Sequence, residues 1–148
     1  MSHLIYCNPI WASTFKTYLQ KLFSLQKRAL KLCTPPKLSP IEPSNTFKLC
    51  HSLDIFQINK LELAKLMHSV HFKTVPPLII SLFSKNSEIH SHNTRNKNNF
   101  HSVLIKYTII KLSYLTQAPE VWNNIPAQIK NYSAIHLFKK HLKHLYYQ

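Results

Sequence analysis

The chain has 148 residues, 45% of them hydrophobic, which supplies a core for one compact domain and argues against disorder throughout. Nineteen lysines and arginines stand against five aspartates and glutamates, and the resulting charge of +14 favours a polyanionic partner, above all nucleic acid. The chain has no run of about 18 apolar residues, so no membrane-spanning helix is predicted. The N-terminus lacks the features of a signal peptide. The composition therefore predicts an intracellular protein, nuclear or cytoplasmic, without membrane contact.

The residue usage is skewed as well as basic. Lysine outnumbers arginine 17 to 2, and glycine is absent. AT-rich coding produces the same skew, because lysine codons are rich in A and glycine codons in G, so coding bias is an alternative source of part of the charge. Without glycine, we expect Asn86 and Asn131 to supply left-handed turns. We expect the three widely spaced cysteines, Cys7, Cys33 and Cys50, to be reduced and mostly buried.

Apolar residues recur at helical spacing through the first half of the chain. The first predicted helix runs from a cap at Ser13 or Thr14 to about Leu32, with lysines opposite its apolar face. Prolines then predict a connector. Further helices are expected over Thr46–His51, Phe56–Phe72 and Leu78–Phe83.

The second half is less regular. Ser87–Phe100 is polar and aperiodic, which predicts a loop, and Val103–Leu112 is β-branched enough for a strand, although a helix is not excluded. A basic amphipathic helix is predicted over Ser133–Tyr146. The fold class is therefore mainly α, an irregular helical bundle with long loops and at most one short strand pair. Within one domain or fragment, the predicted segments are helical 1–34, a Pro-rich connector 35–45, helical 46–86, a polar loop 87–101 and a tail 102–148.

The tail contains a tryptophan between two prolines, in the segment Ala118–Pro126. Pro119 fits the first turn of a helix, and Glu120 complements the positive N-terminal end of that turn. Pro126 ends the turn, because the residue before a proline is pushed out of the helical region. The segment is therefore predicted to bury Trp122, which contributes roughly 1.5–3 kcal/mol or more of apolar transfer energy.

Residues that could support catalysis or metal binding are scattered. The chain has ten histidines, and no more than two of them come close together in sequence; the nearest pair is His90 and His92. No cluster of cysteines or carboxylates lies near these pairs to complete a metal site. Zinc sites need three or four protein ligands, and two-metal phosphoryl chemistry needs clustered carboxylates. Asp54 is the only aspartate and the glutamates are dispersed. The sequence therefore predicts no metal, no cofactor and no catalytic residue, and the isolated chain is not expected to be an enzyme.

Two groups of cationic residues lie on predicted helices beside aromatic residues. Such faces track phosphate backbones, although an ordinary solvated helix face has the same pattern. A third basic position lies in the polar loop, and the three positions together favour binding. The residues predicted to contact phosphate are Lys27, Arg28, Lys31, Arg95, Lys139, Lys140 and Lys143.

Several ordered motifs resemble the region that follows the catalytic palm in LINE-type, non-LTR retrotransposon reverse transcriptases. Residues Ile89–Arg95 are similar to the family's H-x-Y-N-T-R segment, and Ala118–Pro126 with Phe138-Lys139-Lys140 to its G-P-x-x-W-N-x-L-P and F-K-x-x-L ending. Further similar segments are Tyr6–Trp11, Leu22–Ala29 and Leu61–Met67.

The resemblance implies the thumb and C-terminal tail of such an RNA-directed DNA polymerase, without its fingers and palm. The palm's paired aspartates have no counterpart, so polymerase activity is not carried over to any residue here. The expected partner is RNA or an RNA–DNA hybrid, gripped through its backbone. Ala12 and Ala118 stand where the family often has glycine, and if those glycines take positive φ, alanine costs on the order of 1 kcal/mol or more.

Two alternatives to nucleic-acid binding follow from the same residues. The chain can be a helical interaction module, whose apolar faces once packed on the missing palm and now pack on another protein chain. It can also be a transposon relic with no selected function and marginal folding.

Overall fold

The computed structural model describes residues 2–33, 47–89, 95–102 and 105–147. These parts are mainly helical, which confirms the predicted fold class, and their β-structure is one isolated antiparallel bridge between Lys85 and Phe100. The helices of the described ranges, numbered in chain order, are α1 (Ser2–Ile5), α2 (Asn8–Trp11), α3 (Lys16–Cys33), α4 (Ile55–His71), α5 (Pro77–Ile80), α6 (Asn86–Ile89), α7 (Thr108–Lys111), α8 (Tyr114–Asn123), α9 (Ala127–Lys130) and α10 (Ile135–Tyr147).

The three longest helices, α3, α4 and α10, begin and end within about two residues of their predicted bounds. The predicted cap of α3 is wrong in detail: Phe15 precedes its first residue, and the Ser13 hydroxyl donates instead to the Pro9 carbonyl. Residues 47–49 are helical where Thr46–His51 was expected. The predicted connector at 35–45 lies outside the described residues.

The strand predicted over Val103–Leu112 is wrong where the structure describes it. Residues 108–111 form α7, and Lys111 N–H donates to the Tyr107 carbonyl at 3.1 Å. A helical turn satisfies its own backbone hydrogen bonds, whereas a lone strand needs a partner strand to pair with its N–H and C=O groups.

The polar loop predicted at 87–101 is also partly wrong, since residues 87–89 belong to α6. Residues 90–94 of that loop lie outside the described part, as do residues 103 and 104.

Helix α4 is the centre of the bundle. It contacts α8 and α10, and it also contacts α1, α2 and α3. Its N-terminus has a capping box, in which the Asp54 carboxylate accepts from Gln57 N–H at 2.7 Å while the Gln57 side chain accepts from Asp54 N–H at 3.1 Å. This helix is buried around most of its circumference, through Ile58, Leu63, Met67 and their neighbours.

The C-terminus of α4 is a Schellman motif closed without glycine. Lys73 has φ 56°, and its N–H donates to the Val70 carbonyl at 3.1 Å. Thr74 N–H donates to the Ser69 carbonyl at 2.9 Å, which completes the pair of hydrogen bonds. A lysine therefore takes the left-handed position for which glycine is the usual residue.

Asparagine does not supply the left-handed turns, so that prediction is wrong. Among the described residues, positive φ occurs at Cys7, His51 and Lys73, whereas Asn131 has φ −75° and Asn86 begins α6. Each left-handed residue that is not glycine costs roughly 1–2 kcal/mol unless its surroundings compensate. The three turns therefore carry backbone strain that glycine would avoid.

The two alanines at expected glycine positions do not carry that strain. Ala12 has φ −83° as the residue that ends α2, and Ala118 lies inside α8 with no exposed surface. Since neither needs a positive φ, the cost anticipated for them does not arise in this structure. Ala118 instead lets α8 approach the core closely.

The segment around Trp122 differs from its prediction at the N-terminal end. Helix α8 begins at Tyr114, capped by the Ser113 hydroxyl, so Pro119 lies in the interior of the helix and not in its first turn. An interior proline removes one backbone hydrogen bond, and Pro119 is nevertheless buried there. Burial of Trp122 is confirmed, since it is 2% exposed.

Burial separates the inner residues of α10 from the three cysteines. Phe138 and Leu142 of α10 have no exposed surface and join the main core beside α4. The expected burial of the cysteines is wrong, because all three are exposed. Cys7 lies in a turn, Cys33 ends α3 and Cys50 follows the helical residues 47–49, and none of these positions faces the core.

Candidate nucleic-acid interface

The first cationic group lies along one side of α3. Phe23 packs between Phe47, which stacks on it at 5.7 Å between ring centroids, and Phe56 at 5.6 Å. Lys27 Nζ lies 4.2 Å from the centroid of the Phe23 ring, a cation–π contact that fixes this lysine against a packed aromatic group. Arg28, the next residue, and Lys31, one turn further along the helix, are exposed.

The second cationic group lies on α10. Phe138 and Leu142 anchor the inner face of the helix, and Lys139 and Lys143 follow on its flank at i,i+4 spacing, both half-buried. Lys140 is exposed beside them. Their long aliphatic stems cover apolar surface while the ammonium groups reach solvent. The packing of α10 therefore presents three ammonium groups on one side.

One short segment connects the two cationic helices. Gln26, the neighbour of Lys27, donates to the Leu53 carbonyl at 2.8 Å. Gln57 donates to the Tyr146 carbonyl at 3.1 Å, near the end of α10. Residues 53–57 are therefore hydrogen-bonded to both helices that carry the cationic groups, to α3 beside Lys27 and to α10 near its C-terminal end.

Arg95 is not joined to either group. It is exposed at the start of a turn over residues 95–98, and Asn86 holds that turn by donating to the Asn96 carbonyl at 3.0 Å. The turn is tied to α8 because Phe100 N–H donates to Asn123 Oδ1 and Asn123 Nδ2 donates back to the Phe100 carbonyl. The predicted pair His90 and His92, just before it, lies outside the described residues.

The charges of the predicted contact residues are not neutralised. Within the described ranges, none of the seven side chains forms an ion pair with a carboxylate, whereas Lys65 pairs with the buried Glu62 at 2.7 Å. Lys130 is also occupied: it donates to the Asn123 carbonyl at 3.2 Å and lies 5.8 Å from the centroid of Trp122. Burial lowers the pKa of Lys130. Lys27 also contacts a ring, that of Phe23, but unlike Lys65 none of the seven cations is neutralised by a carboxylate in the described ranges.

An aromatic cluster around Trp122 holds the helices in place. Trp122 lies 5.8 Å from Phe138, 6.4 Å from Phe100, 6.4 Å from His68 and 5.3 Å from His71, measured between ring centroids. His68 is buried, and its Nε2 lies 2.8 Å from the Tyr132 carbonyl. The sequence predicted a buried Trp122, but not the two histidines of α4 around it, because their spacing fits an exposed face equally well.

The surroundings of His71 in this cluster shift the pKa of its side chain. Burial lowers the pKa of His71 below its ordinary value of 6.5, and the positive charges of Lys85, His68 and Lys130 lower it further. On α10, burial raises the pKa of the Tyr146 phenol to about 12, so this group stays protonated near neutrality.

Acidification is therefore expected to destabilise the fold through His71. As pH falls below about 6.5, the unfolded chain protonates this histidine while the folded chain still holds it neutral. The unfolded state then binds more protons, so the free energy of unfolding decreases from pH 6.5 down to the lower folded pKa. Urea unfolding between pH 7.5 and 5 measures this dependence. We expect His71→Gln to flatten it, and substitution of the exposed His136 by glutamine to leave it in place; an unchanged slope in His71→Gln would contradict the assignment.

Comparisons of the chain with models of known protein families, with curated proteins and with solved structures find no match. The resemblance to non-LTR reverse transcriptases therefore depends on the sequence motifs and stays a prediction. No helix of the described ranges has the length and apolar character to cross a membrane. In the same ranges, no three histidine, cysteine, aspartate or glutamate side chains come together as metal ligands.

Proposed function

We propose that this chain is a catalytically inactive fragment derived from a non-LTR reverse transcriptase, with a non-specific affinity for nucleic acid. The ordered motifs support the derivation. The observation that carries the binding is that two cationic groups project from packed helices without carboxylate partners among the described residues. The partner is RNA or an RNA–DNA hybrid, contacted through its backbone.

The arrangement suits contacts with phosphate and not with bases. Lysine ammonium groups act as mobile point charges on long stems, which bind phosphate without reading sequence. Each phosphate they neutralise releases condensed counterions, so affinity depends on charge and salt. The group on α3 contains Lys27, Arg28 and Lys31, and the group on α10 contains Lys139, Lys140 and Lys143, with Arg95 as a separate contact.

Replacing the α3 group tests the proposal directly. In Lys27→Ala/Arg28→Ala/Lys31→Ala, we expect affinity for an RNA–DNA hybrid of about 12 base pairs to fall on the order of 10²-fold at about 50 mM salt. Fluorescence anisotropy with labelled hybrid measures the change. The charge-matched control is Lys16→Ala/Lys60→Ala/Lys111→Ala, three exposed lysines outside both groups, which we expect to bind the hybrid nearly as the natural chain does. Equal losses in both variants would contradict the assigned contacts.

A second candidate function is carried by a different observation. Helix α3 has a row of exposed apolar residues spaced by seven, Tyr18, Leu25 and Leu32, of which Leu32 is 88% exposed. A row of this kind gives one side of the helix an apolar surface, which favours contact with another protein chain. Gel filtration with light scattering separates the two functions, because a stable complex formed without nucleic acid would favour the interaction module.

A further inference from the structure

A broad groove lies between three parts of the bundle, away from the two cationic groups. The start of α3 forms one wall, α4 forms the floor, and α7 with α8 forms the opposite wall. Its volume is about 1020 Å³, at the upper end of the range for ligand sites in proteins. The groove is therefore large enough for more than one small ligand group.

Each of the three surfaces contributes one lysine to the groove. Lys16 comes from α3, Lys60 from α4 and Lys111 from α7, and all three are exposed. Glu120 is the acidic residue of the lining. None of the three lysines pairs with a carboxylate in the described ranges. The groove therefore carries a net positive charge, which favours an anionic occupant.

Aromatic side chains lie within the groove and at its edge. Phe56 of α4 lines the groove and is half-buried. On the opposite wall Tyr107 directly precedes the lining residue Thr108, accepts a backbone hydrogen bond from Lys111, and is 69% exposed. Protein surfaces that combine such rings with a cationic groove bind unpaired bases by stacking while the cations follow the phosphates.

The other residues that line the groove favour a ligand with bases over a simple anion. Between the lysines the groove contains apolar side chains together with uncharged polar groups, and amide and hydroxyl groups can hydrogen-bond the edges of unstacked bases. A duplex keeps its bases stacked inside and would leave the floor of the groove empty. The uncharged polar residues of the lining include Thr14, Gln20, Thr108, Gln117 and Asn124.

We infer that this groove binds a short single-stranded nucleic-acid segment, with Lys16, Lys60 and Lys111 on its phosphates and the rings of Phe56 and Tyr107 on its bases. The inference rests on the proposed affinity for nucleic acid and adds a second, single-strand site to it. A strand that left a duplex held by α3 and α10 would have a separate surface to follow.

The test compares two ligands in two charge-matched variants. The ligands are labelled oligo(U) of about 12 nucleotides and the blunt RNA–DNA hybrid, both at about 50 mM salt. In Lys16→Ala/Lys60→Ala/Lys111→Ala we expect oligo(U) affinity to fall on the order of 10²-fold and hybrid affinity to change less than about two-fold. In Lys27→Ala/Arg28→Ala/Lys31→Ala we expect the opposite pattern. Tyr107→Leu, which keeps apolar bulk, is expected to lower oligo(U) affinity roughly 5- to 100-fold.

The outcomes separate this inference from the proposed function. If the hybrid binds but the groove variant leaves oligo(U) affinity unchanged, or lowers both affinities equally, the groove site is wrong and the proposed function stands. If neither ligand binds the natural chain, the proposed function fails first. Displacement of oligo(U) by polyglutamate at equal charge concentration would assign the groove to an acidic peptide and overturn the inference. Far-UV circular dichroism of each variant checks that it is folded.

Discussion

Replacing Trp122 by alanine is expected to lower the free energy of unfolding by about 3–5 kcal/mol. Trp122 is 2% exposed and touches rings from α4 and α10 as well as Phe100. Its removal leaves a cavity at the point where α4, α8 and α10 meet. Natural domains are stable by about 5–15 kcal/mol, so the loss brings the chain close to unfolding at 25 °C. Denaturation in urea, followed by far-UV circular dichroism, measures it.

Trp11 supplies the control for this substitution. It is the last residue of α2, it is half-buried, and its indole Nε1 donates to the Tyr6 carbonyl at 2.8 Å. We expect Trp11→Ala to be clearly less destabilising than Trp122→Ala. Equal losses would show that the Trp122 cluster is not the centre of the fold. A natural chain that unfolds without a cooperative transition would favour the relic interpretation.

Removing both cationic groups together is expected to lower affinity for an RNA–DNA hybrid more than about 10³-fold at about 50 mM salt. The variant replaces Lys27, Arg28, Lys31, Lys139, Lys140 and Lys143 by alanine. The loss exceeds that of either group alone because α3 and α10 are separate helices, each with its own contacts. Anisotropy titration of labelled hybrid measures it, and circular dichroism checks the fold, since the stems of Lys139 and Lys143 cover apolar surface.

A charge-preserving variant is the matched control for that loss. Arginine at the five lysine positions keeps every positive charge while changing the shape and hydrogen bonding of each side chain. If the contacts are electrostatic, this variant binds the hybrid within a few-fold of the natural chain. If it loses affinity as the alanine variant does, the binding depends on specific geometry and the proposed backbone contacts are wrong.

The long helices could be predicted from sequence because their periodicity extends over many residues. Helices α3, α4 and α10 each repeat their apolar positions through three or more turns, so the pattern outweighs local preferences. Helix α7 could not be predicted in this way. Its four residues are too few to show a period, and Ile109 and Ile110 favour a strand by propensity, while the helical outcome depends on local backbone hydrogen bonds.

The residues in the left-handed turns could not be predicted from sequence, for a different reason. Asparagine is the best substitute for glycine in a left-handed turn, yet His51 and Lys73 occupy such positions here. Lys73 follows from where α4 ends and from the two hydrogen bonds of its Schellman motif. The His51 carbonyl accepts from the Tyr147 hydroxyl at 2.8 Å, a contact from the far end of the chain. Positions that tertiary contacts select cannot be found from local preference.

Of the two candidate sites, one could be predicted from sequence and the other could not. The cationic groups of α3 and α10 could be predicted because their members are neighbours in sequence. The structure adds the contacts that hold them, such as the Phe23 ring against Lys27. The groove lysines Lys16, Lys60 and Lys111 come from three separate helices. They reach one surface only because α3 and α8 pack on α4 and α7 packs on α8.

The salt dependence of hybrid binding tests the central claim most directly. Seven phosphate contacts predict that the logarithm of the association constant falls with the logarithm of salt concentration at a slope of about −6. The variant without both cationic groups keeps only Arg95 of these contacts, and it is predicted to bind weakly with a slope of about −1. A natural chain whose affinity does not change between about 50 and 200 mM salt, or whose slope is the same in that variant, would contradict the account.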